Sequence, residues 1–177
     1  MRLVEQKFEN EWVRLEPIQP SPEFREMLRV SGIMDSIWKW MPRLKGKGTT
    51  FDIYYDDAFA KTKAGTMLPL IAQSQHDGSF AGGAAFMRMS RTHRSAQIGY
   101  VRSPENKRGT NAPLAIQSAM LSGALAWRVK RVYWVVDVLN EPMVHFLSDK
   151  IGANKDGEFE YWAVSYTHLT LPTIYSV

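Results

Sequence analysis

Two hydrophobic periodicities alternate along this chain, and their alternation restricts the possible folds more than any other feature. Residues 12–18 alternate apolar and polar side chains, as a half-buried strand does. Residues 50–64 instead repeat their apolar side chains at helical spacing. Because such segments interleave along 177 residues, without internal repeats, the sequence predicts one mixed-sheet α/β domain.

The order of the predicted elements is β-α-α-α-β-β-β-α-β-α-β. After the first strand, further strands are predicted at residues 67–75, 80–89, 95–101 and 131–139, and helices begin near Ser21, Ile33, Thr50, Ala112 and Asn140. Gly65 and Gly152 are expected to end two of these helices. The turn residues His76-Asp77-Gly78 predict a hairpin between two of the strands.

Composition excludes several classes of function. The chain has no cysteine, which excludes a disulfide framework, a thiolate nucleophile and a Cys-ligated metal. The four histidines have no metal-ligand spacing, so we expect no metal. No apolar run reaches the roughly 18 residues of a membrane span, and the charged first residues do not form a secretory signal. We therefore expect a cytoplasmic protein that does not enter a membrane.

The net charge is modestly positive, since 22 Lys and Arg stand against 18 Asp and Glu, which gives +4. The basic residues are scattered, which disfavours nucleic acid as the partner. A solvated surface and a site for a small anion both remain compatible with this distribution.

The most informative segment is a strand, a basic glycine-containing loop and a helix in immediate succession. The strand at residues 95–101 leads to the loop Lys107-Arg108-Gly109-Thr110-Asn111, and the helix begins at Ala112. Free backbone N–H groups and the helix dipole favour an anion at such a helix start, and glycine lets a ligand approach the backbone. The segment matches neither a Walker loop nor a dinucleotide fingerprint, and an ordinary connection between strand and helix is the alternative.

An ordered set of motifs surrounds this loop and extends over roughly residues 8–162. It comprises Val13-Arg14-Leu15-Glu16-Pro17, Leu68-Pro69-Leu70, Gln97-Ile98-Gly99-Tyr100, Arg108-Gly109-Thr110-Asn111-Ala112 and Asp137-Val138-Leu139-Asn140-Glu141. In this order the motifs resemble the GNAT acetyltransferase superfamily, in the branch of the RimJ/RimL-type ribosomal-protein alanine N-acetyltransferases.

The resemblance implies a fold and an activity. The fold would be α/β (α+β), with a mixed, mostly antiparallel central sheet, a V-shaped split between two parallel strands at residues 97–102 and 131–139, and flanking helices. The activity would be transfer of acetyl from acetyl-CoA to an amine, either an α-amino group of a protein or peptide or a small-molecule amine. A GNAT-fold CoA-binding module without the chemistry is the alternative.

The resemblance also implies roles for individual residues. The cofactor-binding set would be Ile98, Tyr100 and Val101 for the pantetheine arm, Arg108, Gly109, Thr110, Asn111 and Ala112 for the pyrophosphate, and Asn140 near the thioester. The candidate catalytic residues are Asn140, His93 and Asp137. His93 follows a strand end near the expected opening for the acceptor amine. Asp137 could act as a general base or as a helix cap.

Three positions depart from the family pattern. Asn111 stands where a second glycine is usual, and we expect Asn to tolerate the positive φ required there. Gln97 replaces the usual Glu, and an amide is not a general base. Met143 replaces a Ser that could protonate the leaving thiolate. The last two departures favour either an acceptor that needs little base catalysis or the inactive module.

The end of the chain differs in composition from the rest. Residues 164–177 contain no Lys, Arg, Asp or Glu and resemble a vector- or adapter-derived tail. We therefore expect one domain at residues 1–163, with residues 157–163 as the first arm of a closing hairpin and the natural second arm missing. The tail is expected to be loosely ordered or to pair as an edge strand. The acceptor and the oligomeric state stay open, with a homodimer among the options.

The missing base predicts a preference among amines. At pH 7 an α-amine of pKa about 7.8 is roughly 14% neutral, whereas a lysine amine of pKa about 10.4 is about 0.04% neutral. We expect turnover on peptide N-termini to exceed turnover on lysine side chains, measured as release of CoA thiol from acetyl-CoA with matched peptides. Equal rates on the two amines would contradict this expectation.

Overall fold

The structure, a computed structural model, describes residues 8–30, 51–158 and 172–176. Its strands are β1 (Phe8–Glu9), β2 (Val13–Pro17), β3 (Met67–Ser74), β4 (Phe80–Ser90), β5 (Ser95–Arg102), β6 (Arg131–Asp137), β7 (Asn154–Glu158) and β8 (Pro172–Ser176). Its helices are α1 (Pro22–Val30), α2 (Phe51–Lys63), α3 (Ala112–Ala126) and α4 (Glu141–His145), and α4 continues as a π-helical segment, Phe146–Ile151. The helix predicted near Ile33 lies outside the described residues.

The strands form a single sheet in the order β1-β2-β3-β4-β5-β6-β8-β7. Every neighbouring pair is antiparallel except β5 and β6, which are parallel. The predicted mixed, mostly antiparallel sheet with flanking helices is therefore confirmed. Of the described helices, none is long and apolar enough to cross a membrane.

Alternation along the strands sends apolar side chains to both faces of the sheet. In β3, Leu68 and Leu70 belong to one buried cluster, together with α3 and α4. Met67 and Ile71 belong to the other cluster, together with α2. Because a strand's side chains alternate between faces, the sheet becomes the middle layer of three.

The predicted helix boundaries depend on local caps. The Ser21 hydroxyl accepts a hydrogen bond from the N–H of Phe24 at 3.1 Å, as expected of an N-cap residue. Gly65 and Gly152 have φ values of 71° and 75° and end their helices in the left-handed conformation, as predicted.

The predicted hairpin turn lies between β3 and β4. Its Asp77 carboxylate accepts hydrogen bonds from both the N–H and the hydroxyl of Ser79. These bonds hold the pKa of Asp77 well below its ordinary value.

The position of the chain end corrects our expectation. β8 does not pair at an edge of the sheet but lies between β6 and β7, antiparallel to both. The described first arm of the hairpin is Asn154–Glu158, which overlaps the predicted arm at residues 157 and 158, while residues 159–163 lie outside the described residues. A partner for β6 satisfies the backbone groups along its outer side, and the charged, exposed β7 is suited to the edge position.

Glycine at position 123 lets β1 pack on α3. A Cβ at Gly123 would overlap the ring of Phe8, which is 5% exposed and makes edge contacts with Phe86 and Trp127. We expect Gly123→Ala to destabilise the protein by about 1 kcal/mol, because overpacking costs about 1–3 kcal/mol and the helix gains only about 1 kcal/mol from alanine. Urea unfolding measures the difference, with Ser122→Ala, an exposed change on the same helix, as the control. Equal or higher stability of the Gly123 variant would contradict the close packing.

Candidate functional site

The parallel pair of strands separates after three residue pairs. β5 pairs with β6 at Ser95↔Arg131, Ala96↔Val132 and Gln97↔Tyr133, and the ladder ends there. Beyond this point β5 continues along β4 as far as Arg102, and β6 continues along β8 as far as Asp137. The two strands therefore diverge around a gap in the described ladder, and backbone groups along such a gap can bind a ligand.

A β-bulge in β5 lies where the strands separate. Between the pairs Ala85↔Gly99 and Gly83↔Arg102, β5 has one residue more than β4. Tyr100 is the bulged residue, and its φ of 50° is uncommon for an aromatic residue. The bulge also reverses the side-chain parity, so that Ile98 packs on the α3 side and Tyr100 packs on the α2 side.

Two glycines of β4 face the bulge. A Cβ at Gly82 would overlap the backbone carbonyl of Arg102, and a Cβ at Gly83 would lie 2.9 Å from Nη2 of the same residue. These glycines let the bulged strand and the Arg102 side chain approach β4 closely. The two glycines of β4 therefore make room for the bulge of β5.

A basic loop connects the end of β5 to α3. It contains one 3₁₀ turn, Glu105–Lys107, followed by Gly109 with φ 75°. The Thr110 hydroxyl donates to the carbonyl of Lys107 at 2.7 Å and accepts from the N–H of Ala112 at 3.2 Å. Among the described residues, nothing accepts a hydrogen bond from the N–H groups of Gly109, Asn111 and Leu114. The loop thus presents free donors at the start of a helix.

Arg108 adds a cation to these donors. Its Nε donates to the carbonyl of Ser103 at 3.2 Å, and its Nη1 lies 3.8 Å from a carboxylate oxygen of Glu105. Its side chain is nearly half exposed, so the guanidinium has room for a further anion.

The conformation of Asn111 corrects one expectation. Asn111 has φ −73° in the right-handed helical region and is the residue before the first turn of α3. The replacement of the usual glycine therefore imposes no positive φ, because Gly109 alone makes the left-handed turn of the loop.

Asn140 follows β6 at the same end of the gap, because the carboxyl ends of parallel strands meet at one edge. It is the N-cap residue of α4, but its side-chain amide makes no capping bond. Its backbone carbonyl accepts from the N–H groups of Met143 and Val144 instead. The half-buried amide remains available to a ligand.

Asp137 shapes the turn that carries Asn140. Its Oδ1 accepts from the N–H of Leu139 at 2.9 Å, and its backbone carbonyl accepts from the N–H of Asn140 at 2.9 Å. Such a turn fixes the direction in which the chain leaves β6.

His93 lies far from this turn. It is exposed in the β4–β5 hairpin turn, at the end where β5 and β6 are still paired. At about 3.3 Å per residue, the length of β5 separates it by roughly 25 Å from the end of β6. The three candidate catalytic residues are therefore not brought together.

Gln97 lies in the last residue pair before the gap. It is 6% exposed, and its Oε1 has no hydrogen-bond partner in the part of the chain that the structure describes. A buried amide oxygen without a hydrogen-bond donor lowers the stability of the folded state. In Gln97 this oxygen belongs to the residue at which the gap begins.

Sequence reasoning missed Arg102 and Tyr54. Arg102 ends β5 and is 4% exposed, and its Nη1 donates to the Tyr54 hydroxyl at 2.9 Å. An arginine directly after the Gly-Tyr-Val end of a buried strand, in a chain with Gly82-Gly83 on the neighbouring strand, was the available sign.

No protein-family model matches the chain, and no curated protein matches it by sequence. Solved structures do match. A GCN5-related N-acetyltransferase from Brucella melitensis has a TM-score of 0.81 at 18% identity, over 97% of this chain and 78% of its own. A spermidine N-acetyltransferase from Vibrio cholerae, solved with CoA and spermine, has a TM-score of 0.74 at 13% identity, over 95% and 96%. RimJ from Mycobacterium smegmatis, solved with CoA-disulfide, has a TM-score of 0.71 at 17% identity, over 97% and 85%.

These similarities extend over nearly the whole chain. The chain therefore has the fold of the GNAT acetyltransferases.

Proposed function

We propose that the protein transfers an acetyl group from acetyl-CoA to an amine. The observation that carries this proposal is the gap between β5 and β6, with a loop of free N–H donors at the end of one strand and a free amide at the end of the other. A long, thin ligand with amides along its length and phosphates at one end fits these three features together.

The edge of β5 beyond its pairing with β6 suits the pantetheine arm. The backbone groups of Ile98, Tyr100 and Val101 lie beyond the last residue pair with β6. An extended ligand with amide groups can hydrogen-bond to such an edge as an added strand would. The side-chain amide of Asn140 would bind the same arm near the thioester.

The loop after β5 suits the pyrophosphate. The N–H groups of Gly109 and Asn111 and the guanidinium of Arg108 supply donors and charge at the positive end of α3. Within the predicted set, Thr110 and Ala112 bond to each other, so they would shape the loop more than hold the phosphates.

Catalysis would depend mainly on orientation. The thioester supplies the activated acetyl group, and this chain's residues would align it with the amine and polarise its carbonyl through backbone N–H groups. Gln97 is not a base, and Asp137 already binds the turn through Oδ1. An acceptor that is partly neutral at pH 7, such as an α-amine, needs the least from these residues.

The solved structures support CoA as the ligand and leave the acceptor class open. One neighbour is named for spermidine and another is named RimJ, and both were solved with CoA or its disulfide. A fold that carries acetyltransferases with different names does not by itself specify the amine.

A CoA-binding module without transfer activity is the second candidate. It is favoured by Gln97 and Met143, which replace the two residue types that usually move protons in this family. Mixing the protein with acetyl-CoA and a peptide library separates the two functions, because only an enzyme releases free CoA thiol above the background rate.

The phosphate role of the loop predicts the effect of Arg108→Glu. We expect acetyl-CoA affinity to fall at least about tenfold, because a charge-assisted bond worth about 1.5–3 kcal/mol becomes a repulsion. Isothermal titration calorimetry measures the change. Arg91→Glu, an exposed arginine in the β4–β5 turn, is the matched control and is expected to bind as the unmodified chain does. Unchanged affinity in the Arg108 variant would exclude the loop as the phosphate site.

The contacts of Asp137 predict different effects for two substitutions. Asp137→Asn keeps an oxygen for the N–H of Leu139, so we expect turnover within about threefold of the unmodified chain, whereas Asp137→Ala loses the turn and about tenfold in acetyl-CoA affinity. A loss of about 100-fold or more in turnover with Asn alone would instead identify Asp137 as the general base. Calorimetry and a thiol-release assay on both variants make the comparison.

A further inference from the structure

Arg102 is a buried cation without a carboxylate partner among the described residues. Its side chain is 4% exposed, and its Nη1 donates to the hydroxyl of Tyr54 at 2.9 Å and to the carbonyl of Tyr100 at 3.2 Å. Its Nε and Nη2 are also buried and have no hydrogen-bond partner. Burying a permanent charge with unused donors opposes folding, so this arrangement calls for a reason other than stability.

One acceptor of Arg102 belongs to the bulge and the other to the helix that packs over it. Tyr100 is the bulged residue, and Tyr54 is in the first turn of α2. The guanidinium lies over the Tyr54 ring at 4.8 Å, and the rings of Tyr54 and Tyr100 are 5.1 Å apart. One side chain therefore ties the distorted part of β5 to the helix that covers this face of the sheet.

The bulge needs such a tie. An L-residue with a positive φ is strained, and the extra residue of a bulge is left out of the regular ladder. A straightened β5 would turn the side chain of Tyr100 to the opposite face and would change which backbone groups face β6. The hydrogen bond from Nη1 to the Tyr100 carbonyl favours the bulged state.

We propose that Arg102 is a positioning residue that holds the Tyr100 bulge, and with it the β5 edge that receives the pantetheine arm of acetyl-CoA. The inference rests on the proposed function, because the edge matters only if such a ligand binds there. Arg102 does not touch the ligand in this proposal; it acts through the carbonyl of Tyr100.

A different role is a carboxylate site on the free Nε–Nη2 edge. Arg29 uses this edge to hold both oxygens of Glu26, at 2.8 and 2.9 Å. In Arg102, however, both atoms are closed off from solvent. The same surroundings favour a positioning role, because the occupied atom, Nη1, is the one directed to the bulge.

The test uses two ligands and the full chain. Acetyl-CoA requires both the loop and the β5 edge, whereas adenosine 3′-phosphate 5′-diphosphate, the nucleotide half of CoA, requires only the loop. For Arg102→Met we expect acetyl-CoA to bind about tenfold more weakly, since misaligned backbone hydrogen bonds are worth about that factor. The nucleotide is expected to bind within about twofold of the unmodified chain, because the loop's own contacts are unchanged. Arg91→Met is the matched control for loss of an arginine.

A second variant keeps the test valid if Arg102→Met does not fold. Arg102→Lys keeps a donor that can reach the Tyr54 hydroxyl and the Tyr100 carbonyl, so we expect acetyl-CoA affinity within about threefold of the unmodified chain. A lysine variant that folds, binds the nucleotide and has lost acetyl-CoA would overturn the positioning role, because a donor retained near the Tyr100 carbonyl would not have preserved the edge.

The outcomes also separate this inference from the proposed function. If the unmodified chain binds neither ligand, the proposed function is wrong. If the chain binds both ligands and Arg102→Met binds acetyl-CoA equally well, the proposed function stands and the positioning role is wrong. Parallel loss of both ligands in a folded Arg102→Met would also overturn the role, because it would indicate general damage.

Discussion

The interruption of hydrogen bonding between β5 and β6 is the constraint on which the rest of the site depends. Three residue pairs hold the strands together, and beyond Gln97 and Tyr133 the strand pairing described for β5 is with β4 and that for β6 is with β8. A continuous ladder would leave no unpaired backbone groups and no room for an extended ligand. The bulge at Tyr100, the glycines facing it on β4 and the buried Arg102 are all local adjustments around this interruption.

The two faces of the sheet have different parts in this arrangement. On one face, α3 begins directly after the basic loop, so the free N–H groups of that loop lie at the open end of the gap. On the other face, α2 carries Tyr54, which contacts the bulge through its ring and through Arg102. If acetyl-CoA binds as proposed, the loop would hold one end of the ligand and the bulge would align the other. Gln97, whose side-chain oxygen has no partner among the described residues, lies where β5 and β6 separate.

If the protein transfers an acetyl group as proposed, this architecture favours orientation over proton transfer as the source of catalysis. Among the described residues, the amides of Gln97 and Asn140 lie at the two ends of the gap, whereas the carboxylate of Asp137 holds a turn and His93 lies at the opposite end of β5. The preference for an acceptor that is already partly neutral follows from this set of residues. The buried Arg102 is consistent with the same view, because its unused donors oppose stability while its position organises a strained backbone.

Much of the fold and half of the site follow from local sequence. The local sequence determines the features that depend only on residues close along the chain. These are the period-two and helical spacing of apolar residues, the cap at Ser21, the glycines that end helices, and the strand–loop–helix segment around Arg108. Tertiary structure decided the rest. Four features depend on pairing between segments that are remote in sequence. They are the reversed side chain of Tyr100, the burial of Arg102 beneath Tyr54, the distance between His93 and Asp137, and the insertion of β8 beside β6. A register is set by the partner strand as much as by the strand itself, and one extra residue on one strand reverses every side chain that follows.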